Sequence, residues 1–313
     1  MGKNYLITGG AGFIGSKLVE YLKNRVGLIY IVDDLSTGLL SNIKKLPKNV
    51  KFIKGDCTNS KILKKLQKIK FDTIFHIAGQ SSGEISFDSP TNDLNRNLLS
   101  TVKLAEFSLK NNVRKFIYAS SMSVYGDLKK DRLHAKENSK CNPLSFYGLS
   151  KLSSENYLKI FSKLGLNITI LRFFNVYGPN QNLKNLRQGM ISIYLGQLLK
   201  SNTIIVKGSL KRFRDFIYID DVIKIIDLCS SRSITKNKIY NISTGYKTSV
   251  KEILLLISQI TKKNFSLVLK GPTPGDQFGI YAKPNLLKKD LKIKKLISIK
   301  DGIKKMIDSI KYD

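Results

Sequence analysis

Several residue types are scarce in this 313-residue chain, and each scarcity excludes a class of protein. The three cysteines, Cys57, Cys141 and Cys229, are widely separated and form no C-x-x-C pair, which excludes a disulfide framework and a zinc knuckle. They indicate a reducing, cytoplasmic environment, and no metal site is expected. No apolar run approaches the roughly 18 residues of a membrane-spanning helix, so no membrane span is expected. Residues 3–8 already have the pattern of a buried strand, which argues against a signal peptide.

Acidic residues are also scarce: 23 Asp and Glu stand against 54 Lys and Arg, a net charge of +31. Such an excess is typical of proteins that bind nucleic acid. Only nine of the basic residues are arginine, however, and the lysines are spread in doublets such as Lys64-Lys65 and Lys288-Lys289. Dedicated phosphate sites favour arginine because its planar fork contacts two oxygens at once. The lysine excess is therefore interpreted as compositional background, and a nucleic-acid partner is not expected.

The first half of the chain alternates short apolar runs with amphipathic segments, which predicts βαβ units and a parallel sheet. Strands are predicted at residues 5–8, 28–32, 50–54, 73–76, 115–119 and 168–172, and helices at residues 15–24, 60–69, 98–111 and 147–164. The expected class is α/β, with a Rossmann-like doubly wound sheet and a smaller C-terminal substrate-binding domain.

The alternation of apolar runs and amphipathic segments becomes less regular after Asn175, where Gly-Pro pairs interrupt it. We expect residues 1–174 to form the cofactor-binding domain and residues 175–313 to supply most of the substrate-binding domain. A segment at about 214–245 is predicted to return to the main sheet through residues 216–229 and 240–243.

A glycine-rich turn, Gly9-Gly10-Ala11-Gly12-Phe13-Ile14-Gly15, follows the first predicted strand and opens the first helix. Its spacing is G-x-x-G-x-x-G, not G-x-G-x-x-G. Glycines permit a tight turn and a close approach of the backbone, and the helix N-terminus attracts a pyrophosphate. Because strand, turn and helix occur in the required order, the turn predicts a dinucleotide site.

Acidic residues at the ends of the second and third strands extend this site. The second strand ends in Asp33-Asp34, where a carboxylate accepts hydrogen bonds from a ribose 2′-hydroxyl and repels a 2′-phosphate, so NAD is favoured over NADP. Asp56 follows the third strand and is placed either at the adenine or in a solvated turn. His76 is expected to be a packed strand residue, because it precedes the open end of the fourth strand.

A candidate reacting centre lies farther along the chain. Tyr147 and Lys151 are four residues apart on a predicted helix, so they share one face. A nearby ammonium favours the phenolate, and we expect it to lower the pKa of Tyr147 from about 10 towards working pH. The fifth strand ends in a serine-rich segment, and a serine hydroxyl there is placed to bond the same substrate oxygen.

These segments together resemble the extended short-chain dehydrogenase/reductases, in the nucleotide-sugar epimerase/dehydratase branch. The resemblance covers nearly the whole chain, and its further motifs are Gly55-Asp56, residues 97–104, SSMSVYG at 120–126, YGLSK at 147–151, RFFNVYGP at 172–179, RDFIYIDDV at 214–222 and YNISTG at 240–245.

The resemblance implies a role for each matching residue. Ser121, Tyr147 and Lys151 are implied as the catalytic residues. The implied substrate-binding residues are Ser121, Asn175, Arg214 and Asp276. Those expected to bind or support NAD are Gly9, Gly12, Phe13, Ile14, Gly15, Asp33, Asp34, Asp56, Cys57, Ala78, Gly79, Asn97, Tyr147, Lys151 and Phe174.

Two departures refine the implied activity. Related dehydratases carry an acidic residue where this chain has Met122 and Ser123, so the sequence is more similar to the 4-epimerases, which invert C4 of a UDP-hexose through a 4-keto intermediate. In many of these epimerases an arginine that binds the diphosphate occupies the position of Thr273, and Arg214, Arg187 or Lys270 is a candidate replacement. The alternatives are a 4-ketosugar reductase and a non-enzymatic relative that binds RNA or NAD. The family also implies a homodimer, formed through helices at 98–111 and 150–164.

Overall fold

The fold alternates strands and helices along the first half of the chain, as the apolar pattern predicts. The computed structural model describes residues 2–44, 46–128 and 134–310. Its strands are β1 (Tyr5–Thr8), β2 (Ile29–Asp33), β3 (Val50–Lys54), β4 (Thr73–His76), β5 (Lys115–Ser121), β6 (Ile168–Phe173), β7 (Asn175–Tyr177), β8 (Thr203–Lys207), β9 (Phe213–Arg214), β10 (Phe216–Tyr218), β11 (Lys238–Ile242), β12 (Thr248–Ser249), β13 (Ser266–Lys270) and β14 (Gly279–Ile280). Its helices are α1 (Phe13–Leu22), α2 (Ser60–Leu66), α3 (Pro90–Leu94), α4 (Ser100–Lys110), α5 (Phe146–Lys163), α6 (Met190–Lys200), α7 (Ile219–Ser231), α8 (Val250–Thr261), α9 (Asn285–Leu291) and α10 (Ile299–Asp308).

Seven parallel strands form the main sheet in the order β11-β6-β5-β4-β1-β2-β3. β1, β4, β5 and β6 are buried along their whole length, as expected of strands covered by helices on both faces. Strand order reverses beside β1, and in such sheets a ligand binds at this switch point, beyond the carboxyl ends of the strands. The prediction of a doubly wound α/β fold is confirmed.

The predicted return to the main sheet is only partly correct. β11 pairs with β6 in parallel and joins the main sheet. β10 does not: it pairs with β7 in a separate two-stranded sheet, and α7, which follows it, packs against α1. β10 has only three residues and lies beside β7, which follows β6 along the chain. It therefore adds no strand to the main sheet.

The predicted helix at 98–111 is longer and less regular than its pattern suggests. α3 continues through a single wide π turn at Asn95–Leu99 into α4. The hydroxyls of Ser100 and Thr101 donate back to the carbonyls of Arg96 and Asn97, at 2.7 and 2.6 Å, inside this turn. Such turns occur frequently at functional sites.

Within residues 2–44, 46–128 and 134–310, no helix is both long enough and apolar enough to cross a membrane.

Candidate active site

A cavity of about 800 Å³ lies along the carboxyl ends of the main strands and continues between them and the second half of the chain. Its wall includes almost all the residues singled out from the sequence: Gly9, Gly12, Phe13, Ile14, Gly15, Asp33, Asp34, Asp56, Cys57, Ala78, Gly79, Ser121, Tyr147, Lys151, Phe174, Asn175, Arg214 and Asp276. Asn97 is the exception, because it does not line the cavity. The linear motifs therefore converge in space.

The glycine-rich turn forms a cradle that fits a dinucleotide diphosphate. Gly9 has φ of +71°, and a Cβ on Gly15 would lie 2.1 Å from the carbonyl oxygen of Gly9, so neither position accepts a side chain. The N-cap residue of α1 is Gly12, which has no side chain to cap the free N–H groups of the first turn. Those N–H groups and the helix dipole provide a seat for an anion.

Two neighbouring carboxylates border the cradle. Asp33 accepts hydrogen bonds from the backbone N–H groups of Ala11, at 2.9 Å, and Leu35, at 2.8 Å. Each carboxylate oxygen keeps a second lone pair for a ribose hydroxyl. Asp34 accepts from Ser36 and pairs with Arg96 at 3.0 Å. Burial acts to raise the pKa of Asp34, but the bonds from Ser36 and the charge of Arg96 outweigh it and lower the pKa. Asp34 therefore stays anionic.

Asn97 supports the cavity from behind. Its Oδ1 is buried without a hydrogen-bond partner among the described residues, and it lies 2.5 Å from where a Cβ on Gly79 would stand. Lys151 Nζ lies 3.3 Å from the same point. The asparagine is thus separated from the cavity by a glycine backbone, which lets a ligand approach closely. The bare Gly79 backbone and the anion cradle both fit NAD.

The predicted catalytic side chains meet at the end of β5. Ser121 closes this strand and accepts a hydrogen bond from the N–H of Ser123 at 3.1 Å. Tyr147 and Lys151 lie one turn apart near the start of α5, whose N-terminus is capped by Ser145. Lys151 Nζ donates to the carbonyl of Ala119 at 2.9 Å and lies 5.9 Å from the centre of the Tyr147 ring. All three residues face one cavity.

The expected low pKa of Tyr147 is wrong for this structure. Burial raises the pKa of Tyr147 to about 12, and a hydrogen bond with Ser121 only partly opposes this effect. Burial also lowers the pKa of Lys151 to about 8, against the negative charges of Asp93 and Glu155. Removal of the phenol from water, to which the negative charge of Asp93 adds, outweighs the stabilisation of the phenolate by Ser121.

His76 behaves as expected of a packed strand residue. Its ring contacts the hydroxyl of Thr8 at 2.8 Å and that of Thr101 at 3.2 Å, and it does not line the cavity. Burial, together with the charge of Lys151, lowers the pKa of His76 to about 3. It is neutral at physiological pH.

A buried ion pair lies behind the catalytic strand. The Arg172 guanidinium binds both carboxylate oxygens of Glu155, at 2.9 and 2.6 Å, and the two side chains are 3% and 0% exposed. Glu155 also accepts from the Ser120 hydroxyl at 2.5 Å. Since Ser120 precedes Ser121 on β5 and Glu155 lies one turn after Lys151 on α5, the pair fastens the two catalytic elements together.

Basic residues from the second half of the chain complete the wall. Arg214 and Asp276, both predicted from the sequence, form an ion pair of 2.5 Å. Arg212 binds the other oxygen of the same carboxylate and was not predicted. Its sequence signal is its spacing: residues two apart in an extended segment face the same side, and Arg212 and Arg214 flank Phe213.

Thr273, at the position expected to hold a diphosphate-binding arginine, also lines the cavity. Its hydroxyl lies 3.3 Å from Asp276. Of the three candidate replacements, Arg187 and Lys270 line the cavity as well as Arg214. Arg187 is engaged by the carboxylates of Asp88 and Glu84, at 2.7 and 3.4 Å.

Comparison with known proteins places this site in a family. The model of the NAD dependent epimerase/dehydratase family matches residues 5–243. The chain is 35% identical over 310 residues to a putative UDP-glucose 4-epimerase of Methanocaldococcus jannaschii, covering 98% of each chain. It is similar, with a TM-score of 0.91 and 32% identity over 98% of both chains, to the UDP-glucose 4-epimerase of Thermotoga maritima in its crystal structure with UDP-glucose. A UDP-glucuronic acid 4-epimerase of Bacillus cereus, bound to UDP-glucuronic acid and NAD, gives a TM-score of 0.90 at 27% identity over 98% of both chains.

Proposed function

Because the chain belongs to the NAD-dependent epimerase/dehydratase family, we propose that it is a nucleotide-sugar epimerase that inverts C4 of a UDP-hexose. The observation that carries the proposal is the meeting of Ser121, Tyr147 and Lys151 on the wall of the cavity that also holds the glycine-rich cradle. The similarity to 4-epimerases of different UDP-sugars supports the reaction at C4.

Inversion at C4 requires a base at the sugar 4-hydroxyl, and Tyr147 is placed for it. The glycine-rich turn and Asp33 would hold NAD, which would supply reversible hydride transfer at C4 of the sugar. Tyr147 takes the hydroxyl proton in the first half of the reaction and gives it back in the second, so there is no net proton change. The Ser121 hydroxyl, bonded to Tyr147, can share this proton. The Lys151 ammonium, 5.9 Å from the centre of the Tyr147 ring, would stabilise the phenolate.

The residues after Ser121 favour epimerisation over dehydration. Met122 and Ser123 both line the cavity, and neither can transfer a proton at C5 or C6 as a carboxylate would. The chain therefore has the groups for chemistry at C4 and lacks, at this position, the acid and base needed to eliminate water.

The proposed assignment divides the chain in function. Residues 1–174 would hold NAD, and residues 175–313 would supply most contacts to the nucleotide sugar, with Asn175, Arg214 and Asp276 on the cavity wall. Phe174 is buried between these two parts, where it would lie beside the nicotinamide.

We also propose a homodimer formed through α4 and α5. α5 and its C-cap residue expose an apolar stripe of Leu149, Tyr157, Ile160 and Leu164, each at least half exposed. Their spacing places them on one face of the helix. A second copy of the same face would remove this stripe from water.

The experiment is a panel of UDP-, dTDP-, CDP- and GDP-hexoses incubated with the purified protein, with product stereochemistry determined by NMR. We expect interconversion of C4 epimers of a UDP-hexose without added NADH. Stoichiometric consumption of NADH with a 4-keto sugar would instead identify a reductase. RNA binding that weakens with salt, with no reaction on any nucleotide sugar, would identify a non-enzymatic relative.

A further inference from the structure

Three side chains from two distant parts of the sequence form a compact charged group on the cavity wall, which we call the arginine cluster: Arg212, Arg214 and Asp276. The two arginine side chains are 10% and 3% exposed, and the aspartate between them is 22% exposed. One carboxylate balances only one of the two guanidinium groups. A positive charge that is nearly buried and lacks a counter-charge is costly, unless an anion binds beside it.

The two arginines differ in how many of their N–H groups are in use. Arg214 Nη1 donates to the carbonyls of Phe213 and Phe278, at 2.7 and 3.2 Å, and its Nη2 donates to Asp276 and to the carbonyl of Gln277, at 2.5 and 2.6 Å. Its four terminal N–H groups therefore all have acceptors within the protein.

Arg212 keeps free donors on the same wall. Its Nη1 donates to the carbonyl of Lys207 and its Nη2 to Asp276, which uses two of the five N–H groups of a guanidinium. No further acceptor for Arg212 occurs among residues 2–44, 46–128 and 134–310.

The surrounding chain is shaped around the Arg212 side chain. Gly208 has φ of +82°, and a Cβ there would lie 2.9 Å from Arg212 Cδ. The Thr273 hydroxyl approaches the same Asp276 oxygen that Arg212 binds, so residue 273 adds a neutral group and no cation. The positive charge at this point of the cavity comes from the arginine two residues before Arg214.

We propose that Arg212 makes the direct contact with the substrate diphosphate, in place of a cation at residue 273, while Arg214 anchors Asp276. This inference rests on the proposed function, because it takes the anion to be that of a nucleotide sugar. A guanidinium with free N–H groups binds phosphate oxygens in a fork, which a lysine cannot do. Arg212 would then be the substrate-binding residue that the sequence motifs do not reveal.

The test compares Arg212→Gln, Arg212→Lys and Lys211→Gln in the protein as purified, with its nicotinamide cofactor. Lys211 is exposed, one residue away and not on the cavity wall, so its variant controls for the loss of one positive charge. Calorimetric titrations with UDP, inorganic pyrophosphate and uridine separate binding of the anion from binding of the base. Circular dichroism and the cofactor content establish that each variant is folded.

For Arg212→Gln we expect the affinity for UDP and for pyrophosphate to fall roughly 10- to 100-fold, with uridine unchanged. Arg212→Lys should give a smaller loss, and Lys211→Gln a change of less than about twofold. The inference is overturned if the affinity of Arg212→Gln for UDP is within twofold of that of the unaltered protein. It is also overturned if the affinities for UDP and for uridine fall by the same factor. If Arg212→Gln does not fold, the charge-retaining lysine variant decides by the same criteria.

These outcomes are separate from those that test the reaction. If the unaltered protein epimerises no nucleotide hexose but binds pyrophosphate, and Arg212→Gln does not, the proposed function fails and the anion contact of Arg212 stands. If the unaltered protein epimerises UDP-hexoses and Arg212→Gln keeps full UDP affinity, the reaction stands and the role of Arg212 fails.

Discussion

The glycine-rich cradle is made from the seven consecutive residues 9–15, whereas the arginine cluster joins Arg212 to Asp276 across 64 positions of sequence. The cradle binds through backbone N–H groups at a helix start, so its geometry is fixed as soon as β1 and α1 form. The cluster binds through long side chains on short strands and a loop. The first site is thus local and the second depends on how the second half of the chain packs.

The largest expected effect is on turnover, and it tests the catalytic residues, which line the same cavity as the cradle and the arginine cluster. Tyr147→Phe removes the proposed base and leaves the cradle and the arginine cluster unchanged. We expect kcat to fall by about 10²- to 10⁴-fold, the usual contribution of a positioned acid or base, with bound NAD retained. Turnover and cofactor content are measured on the same preparation. Near-normal turnover would remove Tyr147 from its role.

The second prediction applies one chemical change to two ion pairs, one buried behind the catalytic strand and one half-exposed between the two halves of the chain. Glu155→Gln breaks the buried pair with Arg172 and should lower the free energy of unfolding by about 3–5 kcal/mol. Glu84→Gln breaks the half-exposed contacts with Lys207, at 2.9 Å, and Arg187, and should cost less than about 1 kcal/mol.

Denaturation by urea, followed by circular dichroism, measures both values. Equal losses would contradict the expected difference between the buried pair and the half-exposed one.

The third prediction tests the dependence of the cradle on its bare backbone. Gly15→Ala places a Cβ against the carbonyl oxygen of Gly9, and we expect a cost of about 1–3 kcal/mol together with loss of bound NAD. Gly271→Ala is the control in the second half, because a Cβ there meets nothing within 4 Å. It should leave both stability and NAD content unchanged. If both variants retain NAD equally, close approach at Gly15 is not required.

The smallest expected effect is a shift in pH dependence. The pKa of Tyr147 is raised to about 12 and that of Lys151 is lowered to about 8, so the form with an ionised tyrosine and a protonated lysine gains population up to about pH 8 and then stays level. We expect kcat/KM to rise with pH up to about 8 and to level off above it. The negative charge of Asp93 acts to raise the pKa of both Lys151 and Tyr147. Asp93→Asn should therefore move the point at which the pH profile levels off to lower pH.

The control for this shift is Glu106→Gln, which removes an exposed carboxylate on α4. It should leave the profile in place. A uniform loss of activity at every pH in Asp93→Asn would indicate a structural role for Asp93 instead of an electrostatic one.

Long, regular elements were predictable because their signals are local. The apolar runs at residues 5–8, 50–54 and 73–76 match β1, β3 and β4 residue for residue. The helix carrying Tyr147 and Lys151 was predicted to within one residue at each end. The return of β10 to the main sheet was not correctly predicted, since a strand of three residues carries too little pattern to identify its partner.

The amino-acid sequence by itself determined the doubly wound sheet, the cradle and the spacing of Tyr147 and Lys151, because each depends on neighbours along the chain. Only the tertiary structure decided the pKa of Tyr147, since burial raises it to about 12 although a lysine lies one helical turn away. Only the tertiary structure brought Arg212 and Arg214 to one carboxylate and left one of them with free donors. The physical reason is that desolvation and the sharing of hydrogen-bond acceptors depend on groups that are distant in sequence and adjacent only after folding.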